Sequence, residues 1–170
     1  MKAYMGLTCK VGSYISVLKK LLNLSIYQED IFLLFGPVDI LVRFTGLKSL
    51  DEFIEKWFNP MRMIGAEEDL ITKTLNLVVI SEGPLLGEKP FAFIFMNTQP
   101  KHLENVRKTL LNIPEVLSAD TVFGPYDAIC SVRAKDQADL AKIVFKLHNI
   151  PGVESSMTSV IAPINILAEW

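Results

Sequence analysis

The sequence predicts an α+β protein made of two tandem β-α-β-β-α-β units, their antiparallel sheets packed face to face as an internal pseudo-dimer. Three observations carry that prediction. The pentapeptide Phe35-Gly36-Pro37-Val38-Asp39 returns as Phe123-Gly124-Pro125-Tyr126-Asp127, 88 positions later. Around it the register holds without a gap: Lys20 matches Lys108, Leu22 matches Leu110, and Asp51 matches Asp139. A unit used twice is the simplest source of such a pattern. The third observation is that several predicted strands are apolar on both faces, so each sheet needs a cover beyond its own helices.

The elements of the first unit follow in order. Ala3 to Cys9 is short and apolar and reads as a strand. Ser13 is placed to cap a helix that carries Ile15, Leu18 and Leu22 at a three-and-four spacing. Ile26 to Phe35 reads as a second strand. Gly36-Pro37 then turns the chain, because Gly takes positive φ freely and Pro fixes the φ that follows. Ile40 to Phe44 is the returning strand. Ser49-Leu50-Asp51-Glu52 has the form of a capping box opening a second helix, with Leu50, Phe53, Ile54 and Trp57 on one stripe. Asn59-Pro60 is expected to stop that helix, and a loop through Gly65 leads to a last strand over Ile71 to Ile80.

Residues 1–80 form the first predicted domain, and 81–90, with two Gly and two Pro, the linker. The same order then repeats over 91–164. Phe91 to Met96 is a strand, and Thr98 with Pro100 opens a helix bearing Leu103, Val106 and Leu110. Val116 to Phe123 and Ala128 to Val132 form the hairpin. Asp136 caps a helix carrying Leu140, Ile143, Val144 and Leu147, which Pro151-Gly152 ends. Val153 to Ile164 closes the unit, leaving 165–170 as a tail.

This order is that of the split β-α-β, ferredoxin-like arrangement, with both helices on one face of a four-stranded sheet. Phe91, Phe93 and Phe95 alternate with Ala92, Ile94 and Met96, so helices can dry only half of that strand. Burying roughly 500 Å² of such surface per unit is worth on the order of 10 kcal/mol before entropic losses. Stacking one sheet on the other is the expected solution, and a partner chain the alternative.

Composition narrows the function classes. There are 17 basic against 19 acidic residues, a net charge of −2, which lacks the electrostatic footprint of a nucleic-acid binder. Cys9 and Cys130 fall at non-equivalent places and neither belongs to a CxxC, which fits a reduced cytoplasm rather than a disulfide framework. No secretory signal or membrane span is expected.

The Gly-x-Tyr-Asp hairpin, the Leu140/Ile143/Val144 helix, Ile150-Pro151-Gly152-Val153 and Ser156-Met157-Thr158-Ser159-Val160-Ile161 together resemble the ligand-binding domain of Lrp/AsnC-type regulators. The resemblance covers 91–164 well, and 3–80 more loosely through Gly36, Pro37, Asp39, Gly65 and the Thr72-x-Thr74 strand. It implies a domain that binds free amino acids or related effectors, pairs through its sheets and assembles into tetramers or octamers. It also implies that Gly124, Tyr126, Asp127, Ser156 and Thr158 lie near the effector, with Gly36, Asp39, Thr72 and Thr74 as their counterparts. Such a set suits a zwitterion, with a carboxylate for the ammonium and hydroxyls and turn amides for the carboxylate. Val38 stands where the second unit has Tyr126, so the first site is expected to be altered and the second to be the working one. Family regulators carry a helix-turn-helix ahead of this domain. Here the first strand begins within a few residues of Met1, so direct DNA binding is not expected.

The remaining motifs read as ordinary structure. A turn aspartate commonly bonds backbone N–H groups, and that reading stands beside the ligand reading for Asp39 and Asp127. His102 and His148, at helix ends, have no second ligand at metal spacing, so no metal or cofactor is expected. Lys19-Lys20 and Arg107-Lys108 read as solvated helix faces or, second, as a docking patch for an acidic partner. With no Walker loop, GxSxG or carboxylate pair, the expectation is a protein that is not an enzyme. The function expected is a sensing or regulatory module that binds an amino acid or similar metabolite, forms homo-oligomers and modulates a DNA-binding relative by mixed assembly. The alternatives are an ACT-like amino-acid sensor, a small-molecule enzyme using the cleft of a ferredoxin-like pair, and a scaffold with vestigial sites.

Overall fold

A computed structural model describes residues 1–163. The predicted tail 165–170 and the expected strand end at Ile164 lie outside the described residues. Contacts divide the described residues into two compact units, Met1–Asn76 together with Ala162 and Pro163, and Leu77–Ile161.

The first unit contains β1 (Ala3–Cys9), α1 (Tyr14–Asn23), a 3-10 turn (Gln28–Asp30), β2 (Ile31–Phe35) and β3 (Ile40–Phe44). It continues with α2 (Leu50–Phe53), a π turn (Ile54–Phe58), α3 (Asn59–Glu68) and the start of β4 (Ile71–Ser81). β1 and β2 both pair antiparallel with β3, Met5 standing opposite Val42 and Phe32 opposite Leu41. Ala3, Met5 and Leu7 face the helices and pack with Val17, Leu18 and Leu21 of α1, Phe53 of α2 and Met61 of α3. The face that α1 buries is thus centred on Val17, Leu18 and Leu21, and Leu22 of the expected stripe is exposed.

Two local expectations for this unit are corrected. Ser49 caps the helix as expected, accepting the Glu52 N–H on Oγ at 3.1 Å, while the Glu52 carboxylate accepts the N–H of Lys48 rather than of Ser49, at 2.7 Å. Asn59-Pro60, however, does not stop the helix. The π turn just before it shifts the hydrogen-bond ladder, which lets a residue without an N–H pass into α3. Gly65 accordingly lies in α3, where an added Cβ would come within 3.1 Å of the Ile71 carbonyl oxygen. The helix ends at Asp69, which takes a left-handed φ of 52°.

The second unit contains β5 (Ala92–Thr98), a 3-10 turn (Pro100–His102), α4 (Leu103–Leu111), β6 (Val116–Phe123), β7 (Ala128–Val132), α5 (Gln137–His148) and β8 (Val153–Ile161). Its strands lie in the order β8-β5-β7-β6. Ala92, Ile94 and Met96 pack against Val106 and Leu110 of α4 and against Leu140, Ile143 and Leu147 of α5. Phe93 and Phe95, on the opposite face, are also buried, at 1% and 0% exposure. The segment expected as a linker is laced to β6. The Gly83 N–H donates to Asp120 Oδ1 at 2.6 Å, and Ser118 Oγ donates to the Pro84 carbonyl at 2.7 Å.

The face-to-face arrangement of two sheets is overturned. All eight strands join in one closed barrel, in the order β1-β3-β2-β8-β5-β7-β6-β4. The physical reason lies in the strand edges. Stacking would dry the second sheet faces yet leave a row of unpaired N–H and C=O groups along every outer strand, whereas closure encloses those faces and removes the edges as well.

Candidate functional site

The two hairpins are built alike. Gly36 and Gly124 take φ angles of 155° and 156°, which a side chain disfavours. In each turn the aspartate backbone closes the hairpin: the Leu34 N–H donates to the Asp39 carbonyl and the Val122 N–H to the Asp127 carbonyl, both at 2.8 Å. Each aspartate N–H in turn donates to the neighbouring strand, Asp39 to Leu7 and Asp127 to Met96, both at 2.9 Å.

The carboxylates differ. Asp39 Oδ2 accepts the Cys9 N–H at 2.7 Å, and Oδ1 accepts the Tyr14 hydroxyl at 2.6 Å. Asp127 Oδ2 accepts the Thr98 N–H at 2.8 Å. Its Oδ1 has no hydrogen-bond partner among the described residues. Thr98, only 4% exposed, also leaves its Oγ1 buried without a partner among the described residues. The second unit therefore ends β5 with an open carboxylate oxygen and an unsatisfied hydroxyl on adjacent chain segments, and the first unit has neither.

The electrostatics of the first site follow from this pairing. The hydrogen bond to Asp39, helped by burial, pushes the Tyr14 phenol up to about 12. Burial, with the Asp39 charge second, raises the Cys9 thiol to about 12. Burial does the same to Cys130, with the Asp120 charge second.

The other expected site residues fall on two faces of the second sheet. Tyr126 packs its ring on Phe95, centroids 5.4 Å apart, and its hydroxyl lies 3.3 Å from Met157 Sδ. Phe95 and Met157 are register partners on the face away from the helices. Ser156 and Thr158 stand opposite Met96 and Ile94, on the helix-facing side. Ser156 Oγ lies 2.6 Å from His148 Nε2, so the histidine at the end of α5 is tied to β8. In the first unit, Thr72 donates to the Thr8 carbonyl at 3.1 Å, and Thr74 Oγ1 accepts a weak 3.4 Å bond from the Asn76 amide. The structure therefore gathers Asp127, Thr98 and the Gly124 turn at one end of β5 and β7, and divides Tyr126 from Ser156 and Thr158.

Thr98 and Tyr14 were not among the residues expected at the sites. Thr98 corresponds to Cys9 with an offset one residue larger than the 88 of the pentapeptide. A comparison at constant offset hides that pairing. A separate groove of about 430 Å³ runs along α4 past His102, Lys108 and Ile150, away from all of the expected residues.

Among the described residues no helix is long and apolar enough to cross a membrane. Residues 91–162 match the family model of the Lrp/AsnC ligand binding domain. An uncharacterised HTH-type transcriptional regulator from Pyrococcus horikoshii is 29% identical over 79 residues, which is 46% of this chain and 50% of that protein. The chain thus spans half the length of that curated relative. A hypothetical protein of known structure from Pyrococcus horikoshii, PHS023, is 32% identical, with 45% of this chain and 93% of that one covered and a TM-score of 0.41. Over nearly the whole chain, 96%, the fold is that of the siroheme decarboxylase NirDL, at 8% identity, 71% of that chain and a TM-score of 0.69. This overturns the expectation that the chain is not an enzyme. That expectation rested on missing motifs, and their absence does not exclude catalysis on a fold shared with a decarboxylase.

Proposed function

Taking residues 91–162 as an Lrp/AsnC ligand-binding domain, we propose that the second unit binds a free amino acid or a similar small amine at the end of β5 and β7, and reports its presence through assembly. The carrying observation is that Asp127 keeps one carboxylate oxygen open where Asp39 has none. A half-buried carboxylate with a free acceptor is a strong partner for an ammonium group, since charge-assisted bonds are about twice as strong as neutral ones. The buried Thr98 hydroxyl beside it and the amides of the Gly124 turn suit the ligand carboxylate. Tyr126, fixed on Phe95, gives the site an apolar wall. Ser156 and Thr158 lie on the other sheet face, where Ser156 ties His148 to β8. Domains of this type bind small effectors and oligomerise. Here the partners would be further copies of this chain and, by mixed assembly, a DNA-binding relative of the HTH type.

A thermal-shift screen over the common amino acids tests this reading. At a concentration a hundred times its dissociation constant, a ligand stabilises the fold by about 2.7 kcal/mol. Asp127→Asn is the informative variant, because its amide oxygen still accepts the Thr98 N–H while the charge is gone. At least one amino acid should stabilise the wild type and leave Asp127→Asn unmoved. No response at millimolar ligand, or an equal response in both proteins, would count against the proposal.

A further inference from the structure

We infer that the first unit holds the same kind of amine site, kept occupied by a side chain of its own chain: the hydroxyl of Tyr14 takes the place of the ligand ammonium on Asp39. This inference rests on the Asp127 reading and extends it to a residue outside the expected site.

The argument is a comparison of two equivalent positions. Both aspartates spend Oδ2 on the N–H at the end of the first strand of their unit, Cys9 at 2.7 Å and Thr98 at 2.8 Å. Backbone, turn and carboxylate are therefore set alike, down to glycine φ angles one degree apart. What differs is the donor at Oδ1. In the first unit a phenol sits there at 2.6 Å, offered by the first residue of α1. In the second unit that oxygen has no partner among the described residues. At the offset that pairs Cys9 with Thr98 (98 − 9 = 89), Tyr14 corresponds to Leu103, the first residue of α4, so the second unit has an apolar side chain where the first has a phenol.

A phenol is a fitting substitute for an ammonium group, because it donates one strong hydrogen bond to a carboxylate without bringing a second charge. It is also held in its donating form, since the bond to Asp39 raises its titration well above the usual tyrosine range. The replacement of Tyr126 by Val38 agrees with this. Val38 is 5% exposed, and a Cβ on Gly6 would meet its Cγ1 at 2.9 Å. The first turn is thus filled from inside by apolar contacts.

Isothermal titration tests the inference on an Asp127→Asn background, which separates its failure from that of the Asp127 reading. The titrant is the amino acid that most stabilises the wild type, or L-alanine if none does. Tyr14→Phe removes only the hydroxyl, and Tyr14→Ala also clears the ring. Asp127→Asn alone should bind nothing. At least one of the two double variants should bind one ligand per chain, and adding Asp39→Asn should abolish it. Absence of binding in both double variants overturns the inference, and so does ligand bound at Asp39 while Tyr14 is intact. Loss of wild-type binding on Asp127→Asn is scored separately and bears on the second unit alone.

Discussion

Replacing Asp39 by alanine should cost the fold more than replacing Asp127, although the two aspartates occupy the same turn. Asp127 holds one side-chain hydrogen bond, from the N–H of nearly buried Thr98. A bond to a charged group contributes about 1.5–3 kcal/mol, and removing the acceptor also strands the N–H. Asp39 holds two bonds, from the Cys9 N–H and the Tyr14 hydroxyl. Its loss should therefore cost roughly 3–5 kcal/mol, allowing for the half-exposed phenol. In a chain of this size each kcal/mol moves the melting temperature by about 2–4 °C. Asp127→Ala should thus melt about 3–12 °C below the wild type, and Asp39→Ala about 6–20 °C below it. Calorimetry without ligand, with urea midpoints alongside, reads both differences. Equal losses, or a smaller loss for Asp39→Ala, would refute the claim that one carboxylate is doubly engaged and the other half free.

Other outcomes follow from the same geometry. The Tyr14 phenol, raised from 10 to about 12, should ionise last in a spectrophotometric titration of the folded protein, and Tyr14→Phe should remove that late step. Because the folded value lies above the unfolded one, the stability Tyr14 contributes is complete below about pH 10 and is lost as pH rises toward 12. A variant that keeps the same alkaline fall in stability would contradict this. Cys9 and Cys130, both raised to about 12 and buried, should resist a thiol reagent at pH 8 in the native state and react fully once unfolded. Rapid native labelling would show that neither is enclosed as described. Gly152→Ala combines a φ of 97° with a Cβ placed 2.3 Å from His102 Cβ, and should cost about 2–4 kcal/mol. Gly12→Ala, at φ 85° in open space, should cost only about 1–2 kcal/mol, and a reversed order would show that the His102 packing is not rigid.

Much of the local structure is legible in the residues because its causes are local. Asp136 accepts the Asp139 N–H at 2.8 Å as its capping position suggests, and β1, β3, β6 and β7 begin and end where the apolar runs do. The helix through Pro60 is not legible, because a π turn is set by the packing of Phe53 and Trp57 on Phe44 rather than by a sequence signal. The barrel is not legible either: alternation of Phe93 and Phe95 with Ile94 and Met96 says that both faces are dry without saying whether strands meet by face or by edge. At the site, the paired aspartates could be read from the pentapeptide alone. Their difference could not, since Tyr14 lies 25 residues before Asp39 and only the folded chain brings its hydroxyl to the carboxylate.

A structure of the wild-type protein with its best amino acid bound is the most direct measurement of all. The ligand nitrogen should lie about 3 Å from Asp127 Oδ1, with Tyr14 still on Asp39. A ligand seated elsewhere, such as the α4 groove beside Lys108, with Asp127 Oδ1 left open, would contradict the account.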